Sequence, residues 1–297
     1  MQQRPTYALF LRLGAALSFA TMAMLIKQAG ESGISLPEIM FWRQFLTVPL
    51  VIGYLLIIGQ LARLKTQRIG MHATRAGIGM VGMVLNFSAV LLLPLAESTT
   101  LGFTTPLFAV VLAALVFREH VGPWRWMAVA LGFAGVLVIA QPGQVPVSMP
   151  GALAGLGSAL MTALISFHIR GMSRTEEPLR IVFYFSLFGA AMMSVMLPFY
   201  VSAHDPKQWL LLAGIGVMGM CGQLFVTGSL RHGPIASVLI MDYTSLIWAT
   251  AYGWLIWDHL PPAATWLGAP LIVGAGILVA WREHMLGKER DIGPAEA

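Results

Sequence analysis

Ten apolar stretches follow one another with only short polar turns between them, at roughly 6–28, 36–59, 74–94, 96–117, 124–141, 150–171, 178–201, 208–230, 234–257 and 262–282. A bilayer core takes about 20 apolar residues per crossing, and each stretch is close to that length. Lipid offers the backbone no hydrogen-bond partner, so each span must bond within itself and the fold must be a bundle of helices. The sequence therefore predicts an all-α membrane protein with ten transmembrane helices. Charged residues are 10% of the chain, whereas soluble domains carry about 25%. The spans leave no room for a soluble domain.

The ten spans read as two copies of five. Ala76-Gly-Ile-Gly-Met-Val-Gly-Met83 recurs as Ala213-Gly-Ile-Gly-Val-Met-Gly-Met220, and Glu119-His-Val-Gly-Pro123 recurs at nearly the same spacing as Asp258-His-Leu-Pro-Pro262. The first repeat is expected over 1–141 and the second over 150–282, joined by the uncharged Gln141–Ser148 segment, with 283–297 as a polar cytoplasmic tail. An odd number of spans per repeat turns the second copy upside down in the membrane. Inverted repeats characterise secondary transporters, whose substrate sites lie where the repeats meet. The expected fold is thus two inverted five-helix repeats around a central cavity, and the expected function is carriage of a small molecule across the lipid bilayer.

The net charge of +5 does not indicate a nucleic-acid partner, because the basic residues follow the topology. With the N-terminus inside, fourteen of the 18 Lys and Arg fall in inner segments and only Lys27 and Lys207 in outer ones. That is the positive-inside pattern, and it predicts both termini in the cytoplasm. The first span is too long for a cleaved signal peptide, and no small-x-small site ends it.

Catalytic and metal chemistry find little support. Cys221 is the single cysteine, and the 7 histidines form no HxxxH pair, so neither a disulfide nor a metal centre is expected. Gly77-x-Gly79-x-x-Gly82 and Gly214-x-Gly216-x-x-Gly219 match a dinucleotide-binding pattern, but that pattern needs a preceding strand. Inside apolar helices such glycines let neighbours approach closely. There is no GxSxG and no Walker motif, so no cofactor, hydrolytic activity or nucleotide energy source is expected.

Leu92-Leu-Pro-Leu-Ala-Glu-Ser-Thr-Thr-Leu-Gly-Phe-Thr-Thr-Pro106, continued by Phe117-Arg-Glu119 and Gly132-Phe-Ala-Gly135, resembles the EamA repeat of the drug/metabolite transporter superfamily. Phe41-Trp-Arg-Gln-Phe45 resembles its second-span element, and Gly233-Pro-Ile-Ala-Ser237, Trp257-Asp258 and Gly268 through Gly276 repeat the pattern in the second half. Asp258 stands where the family usually has Glu, and span seven has no Arg matching Arg43. Within the superfamily the chain looks most like bacterial exporters of aromatic amino acids. The resemblance implies a ten-helix metabolite exporter working by alternating access.

A charge within the bilayer costs at least about 2.5–3.5 kcal/mol, so each one needs a reason. Arg43 in span two is a candidate ligand for a substrate carboxylate, or a structural arginine tied to carbonyls, Glu38 or Glu97. Asp242, the only acid deep in a span, is a candidate for an ammonium ligand or a proton carrier, or it pairs within the bundle. Asn86 and Gln223 hold equivalent places in spans three and eight and could bind substrate or simply join helices. Tyr243, Trp248 and Tyr252 could form an aromatic wall or pack in the core. Lys27, Glu38 and Glu97, with Arg43, sit where an outer gate would be, or contact headgroups. Arg12 is near enough to the inner surface to snorkel, and the acid-His pairs at 119 and 258 brace helix ends. Together these suit a small zwitterion with an apolar or aromatic side chain. Protons as coupling ion, an importer, and another cargo such as a nucleoside derivative or organic cation remain open.

Overall fold

The computed structural model describes residues 5–116, 118–119, 121–140, 148–172, 175–232 and 240–292. Its helices are α1 (Pro5–Glu31), α2 (Leu36–Ile57), α3 (Ile69–Leu92), α4 (Leu95–Gly102), α5 (Thr105–Leu115), α6 (Pro123–Ala140), α7 (Met149–Met172), α8 (Pro178–Ser194), α9 (Leu197–Tyr200), α10 (Pro206–His232), α11 (Ser245–Trp257) and α12 (Ala263–Ile292). Single 3-10 turns occupy Leu61–Leu64 and Ile240–Thr244. The described residues contain no strand. Among the described residues eight helical spans are long and apolar enough to cross a membrane, α4 and α5 counting as one, and α8 is a shorter apolar helix of 17 residues. The remaining apolar span is the 3-10 turn at Ile240–Thr244 running into α11. The Gln141–Val147 linker, Gly233–Ser237 and the last five residues lie outside the described residues.

Helix pairing follows the repeat. α1 packs on α10 as α3 packs on α7, and these are equivalent pairs with the halves exchanged. Likewise α1 meets the Ile240–Trp257 span while α7 meets α4 and α5. Three pairs of spans are self-equivalent and lie along the pseudo-two-fold axis: α2 with α8, α6 with α12, and the fourth span of each half, which meet through α4 and α11. Across α2 and α8, Ser186 Oγ donates to Gln44 Oε1 at 3.5 Å.

Between helices already in lipid there is little hydrophobic gain, so close packing of small residues supplies the adhesion. The glycine pattern predicted this. A Cβ at Gly82 would lie 3.1 Å from Met161 Cβ, and one at its counterpart Gly219 would lie 3.2 Å from Met22 Sδ. At the α6–α12 crossing the backbones themselves touch. A Cβ on Gly135 would meet the Gly268 carbonyl oxygen at 2.8 Å, and one on Gly268 would meet that of Gly135 at 2.6 Å.

The halves also share a helix ending. Arg118 and Asp258 both adopt left-handed backbone, with φ of 53° and 51°. The next residues, Glu119 and His259, donate their N–H back to the carbonyls of Ala113 and Gly253. This is the Schellman-type closure of a helix C-terminus. It aligns Asp258 with Arg118, one residue away from the letter match of Asp258 with Glu119.

Candidate functional site

The fourth span of each half is broken. α4 stops at Gly102 and α5 starts at Thr105, with Pro106 unable to donate to the turn before it. In the second half the 3-10 turn ends at Thr244 and α11 begins at Ser245. Both breaks are held in the same way. Thr104 Oγ1 donates to Leu101 O and Thr244 Oγ1 to Met241 O, each at 2.6 Å. Thr105 then donates to Gly102 O at 2.8 Å, and Ser245 to Asp242 O at 2.7 Å. Across the axis the rings of Phe103 and Tyr243 meet edge-on, with centroids 4.9 Å apart. Paired discontinuous helices near mid-membrane are where transporters of the inverted-repeat type place their substrate sites, because an interrupted helix exposes backbone groups to a ligand.

The second-half candidates turn mainly toward α1. Arg12 Nε and Nη2 donate to both carboxylate oxygens of Asp242. Arg12 is buried by this pairing and does not snorkel to the surface. Further along, Thr21 and Tyr252 share a hydroxyl bond of 2.8 Å, and Trp257 Nε1 donates to Glu31 at 2.8 Å. Three polar pairs thus join α1 to the Ile240–Trp257 span from end to end. Tyr243 stays at the axis, its hydroxyl over Gly276, where a Cβ would lie 2.0 Å away. Trp248 is 37% exposed, and among the described residues no ring contact joins it to Tyr243 or Tyr252.

Arg43 is buried in α2 and bonds neither Glu38 nor Glu97. Its Nη1 donates to Gln44 Oε1 at 2.6 Å, and the guanidinium lies 6.0 Å from the centre of the Phe185 ring. Asn86 Nδ2 donates to Ser158 Oγ at 3.3 Å, joining α3 to α7, while Gln223 lines a small cleft with Val51, Leu179 and Val182. The equivalent amides therefore face different neighbours.

At the end of the bundle away from the N-terminus, Lys27 Nζ donates to Leu93 O at 2.9 Å and lies 5.9 Å from the Trp257 ring centre. It lines a cavity of about 280 Å³ with Leu92, Leu95, Trp257 and His259. Glu38 is fully buried and pairs with His204 of the α9–α10 connection. Glu97 accepts from Thr265 at 3.3 Å and faces His259. These three candidates form separate contacts at one end, and Arg43 stands apart from them.

Sequence reasoning overlooked Arg75, Phe185, His204 and the residues around Glu176. Arg75 stands at the start of the 74–94 stretch and counts there with the inner basic residues, and α3 begins five residues before that stretch, which takes His72 into the helix as well. At that same end Glu176 receives hydrogen bonds from Arg180, Thr66 and His72, and Arg63 pairs with Glu177 at 2.9 Å. Burial, the largest single influence, pushes the Glu176 carboxyl up. The Arg180, His72 and Thr66 bonds together with the Arg180 charge outweigh it, so the carboxyl sits below its ordinary value.

Paired inverted halves with matching helix breaks define a multi-pass membrane carrier. The chain belongs to the EamA-like transporter family, whose model matches residues 6–141 and again 149–281. It is a transporter of small metabolites, not an enzyme. The pseudopaline exporter CntI of Pseudomonas aeruginosa is 30% identical over 268 residues, covering 90% of this chain and 93% of the relative. A riboflavin transporter of Vibrio cholerae is 27% identical over 296 residues, covering 98% and 99%. A solved crystal structure shares the fold with a TM-score of 0.62 at 21% identity, covering 95% of this chain and 99% of the other.

Proposed function

We propose that this protein exports a small metabolite with a flat or apolar body by alternating access, with aromatic amino acids as the first candidates. The matched breaks at Phe103–Thr104 and Tyr243–Thr244, meeting ring to ring at 4.9 Å, are the observation that carries this reading. The cargo would sit in a central cavity between repeats 1–141 and 150–282, against Phe103 and Tyr243. The Arg12–Asp242 pair at one end and the Glu31–Trp257 and Glu38–His204 contacts at the other would open in turn. Both termini, with the 283–297 tail, would lie in the cytoplasm, as the basic residues suggest.

Asp242 already holds Arg12, and this bears on both roles considered for it. Both of its carboxylate oxygens accept from the guanidinium, so the pair must part before Asp242 can take another partner. It is also not free for an ammonium group. We therefore expect a cargo recognised more by its acid and its ring than by its amine.

A second reading is favoured by the relatives, one a pseudopaline exporter and another a riboflavin transporter, each matched over most of its length. On that reading the cargo is a larger metabolite, riboflavin among the candidates. Counterflow in proteoliposomes with labelled phenylalanine and labelled riboflavin separates the two. Phenylalanine exchange supports the first reading, and riboflavin exchange alone replaces it. Failure of both, and of a wider metabolite panel, would sink the carrier assignment.

A further inference from the structure

Two arginines lie against one ring inside the membrane, with no carboxylate paired to either among the described residues. The Arg75 guanidinium is 4.3 Å from the centre of the Phe185 ring, and that of Arg43 is 6.0 Å from it. Arg43 comes from α2, Arg75 from α3 and Phe185 from α8, so three helices converge here. Gln44 supports the group by accepting from Arg43 Nη1 at 2.6 Å and donating to Phe185 O at 3.4 Å. Arg43 Nε and both Arg75 Nε and Nη1 are buried with no hydrogen-bond partner among the described residues.

A guanidinium offers five N–H donors, and a buried one is normally met by carboxylate or carbonyl oxygens. Here the acids of the spans are committed elsewhere. Asp242 holds Arg12, Glu31 holds Trp257, Glu38 holds His204, and Glu97 holds Thr265. Cation–π contact with Phe185 offsets part of the cost, but it does not fill the N–H groups and leaves two like charges side by side. A structural arginine would have been given its acceptor by the fold. Two arginines with open donors on one ring are instead complementary to a ligand that brings its own negative charge, such as a carboxylate, whose two oxygens match guanidinium donors.

Resting on the carrier reading, we propose that Arg43 and Arg75 together bind the anionic group of the substrate, with Phe185 fixing their spacing, so that the cargo is a small organic acid. The bound anion supplies the missing acceptors and relieves the repulsion between the two charges. The conformation that brings the arginines together is thereby more favoured with cargo bound than without it, which is the differential affinity that coupling of binding to alternation requires. Recognition of the acid needs no ammonium ligand, in keeping with the engagement of Asp242 by Arg12.

The test is equilibrium binding to the purified full-length protein in detergent, by calorimetry, with 3-phenylpropionate and its amide as matched probes. The acid is expected to bind at least about tenfold more tightly than the amide, the discrimination produced by charge-assisted donors. Arg43→Gln and Arg75→Gln should each abolish that preference by weakening the acid more than the amide, while Arg75→Lys should keep part of it. Equal binding of acid and amide, no binding of the acid, or a preference that survives in both glutamine variants would overturn the proposal. Sodium chloride or sulfate competing as strongly as the acid would assign the arginines to an inorganic anion and overturn it as well. The wild-type comparison alone decides if a variant fails to fold. Acid preference without flux in liposomes would refute the carrier reading and keep the site, whereas flux without acid preference would refute the site alone.

Discussion

Phe103 and Tyr243 hold the same place in the two halves of the chain, and their rings stand edge-on, 4.9 Å between centroids. Each follows the last turn before a helix break closed by matching threonine bonds, so the two interruptions face each other across the pseudo-two-fold axis. An edge-on aromatic pair contributes about 0.5–1.5 kcal/mol beyond its buried area. A double-mutant cycle with Phe103→Leu and Tyr243→Leu, read by thermal unfolding in detergent, should return a coupling in that range. Coupling near zero would mean that the rings are neighbours without interaction.

Arg12 and Asp242 join the first helix to the broken ninth span. Removing one partner of a fully buried pair costs about 3–5 kcal/mol. Asp242 keeps 41% of its side chain exposed, so solvent screening reduces the expectation to about 1–3 kcal/mol for Asp242→Asn or Arg12→Gln. Exchanging the charges, with Arg12→Asp and Asp242→Arg together, should recover part of the loss. A double exchange no better than the worse single variant would show that the ion pair is not what these side chains contribute.

The α6–α12 crossing should tolerate no added side chain. Gly135→Val places carbon where the Gly268 carbonyl oxygen stands 2.8 Å away, and backbone cannot swing aside as a side-chain tip can. Overpacking of this kind costs about 1–3 kcal/mol, seen as a lower melting temperature. Gly77→Ala, whose Cβ would meet nothing within 4 Å, is the control and should melt like wild type.

Around Glu176 the prediction concerns pH. Its folded pKa is lowered, so its contribution is present above the ordinary carboxylate value of 4.5 and is lost as pH falls through the lowered value. The groups facing it are His72, Arg180 and Thr66, with Arg63 and Glu177 adjoining. Wild type should melt above Glu176→Gln at neutral pH, and the two curves should converge in acid. A gap of constant size across that range would contradict the assignment.

Much of this architecture is legible in the sequence because membrane spans and repeats are written in composition. Apolar length located the spans, and the Gly79/Gly216 and Gly82/Gly219 pattern located close helix contacts, where the structure puts Phe185, Leu46, Met161 and Met22 within 3.2 Å of a would-be Cβ. Partners were harder to read. Asp242 and Arg12 are far apart along the chain, and no local periodicity announces that two helices of different repeats run side by side. Arg75 was hidden by its company, since a basic residue at the inner end of an apolar stretch reads as a topology signal until α3 is seen to begin at Ile69 and to carry it against Phe185. The helix breaks left a signal in Thr104-Thr105-Pro106, but Tyr243-Thr244-Ser245 has no proline, and only the fold shows the two to be equivalent.

Alternating access is tested most directly at the two ends of the α1–α11 contact. In a Cys221→Ala background, cysteines replace Arg12 and Asp242 in one protein, and Glu31 and Trp257 in another. Each pair is then bridged with a short reducible thiosulfonate cross-linker, and cargo exchange is followed in proteoliposomes. Either bridge should stop exchange and reduction should restore it, because each end must part once per cycle. Exchange that continues at the wild-type rate with both bridges formed would contradict the account.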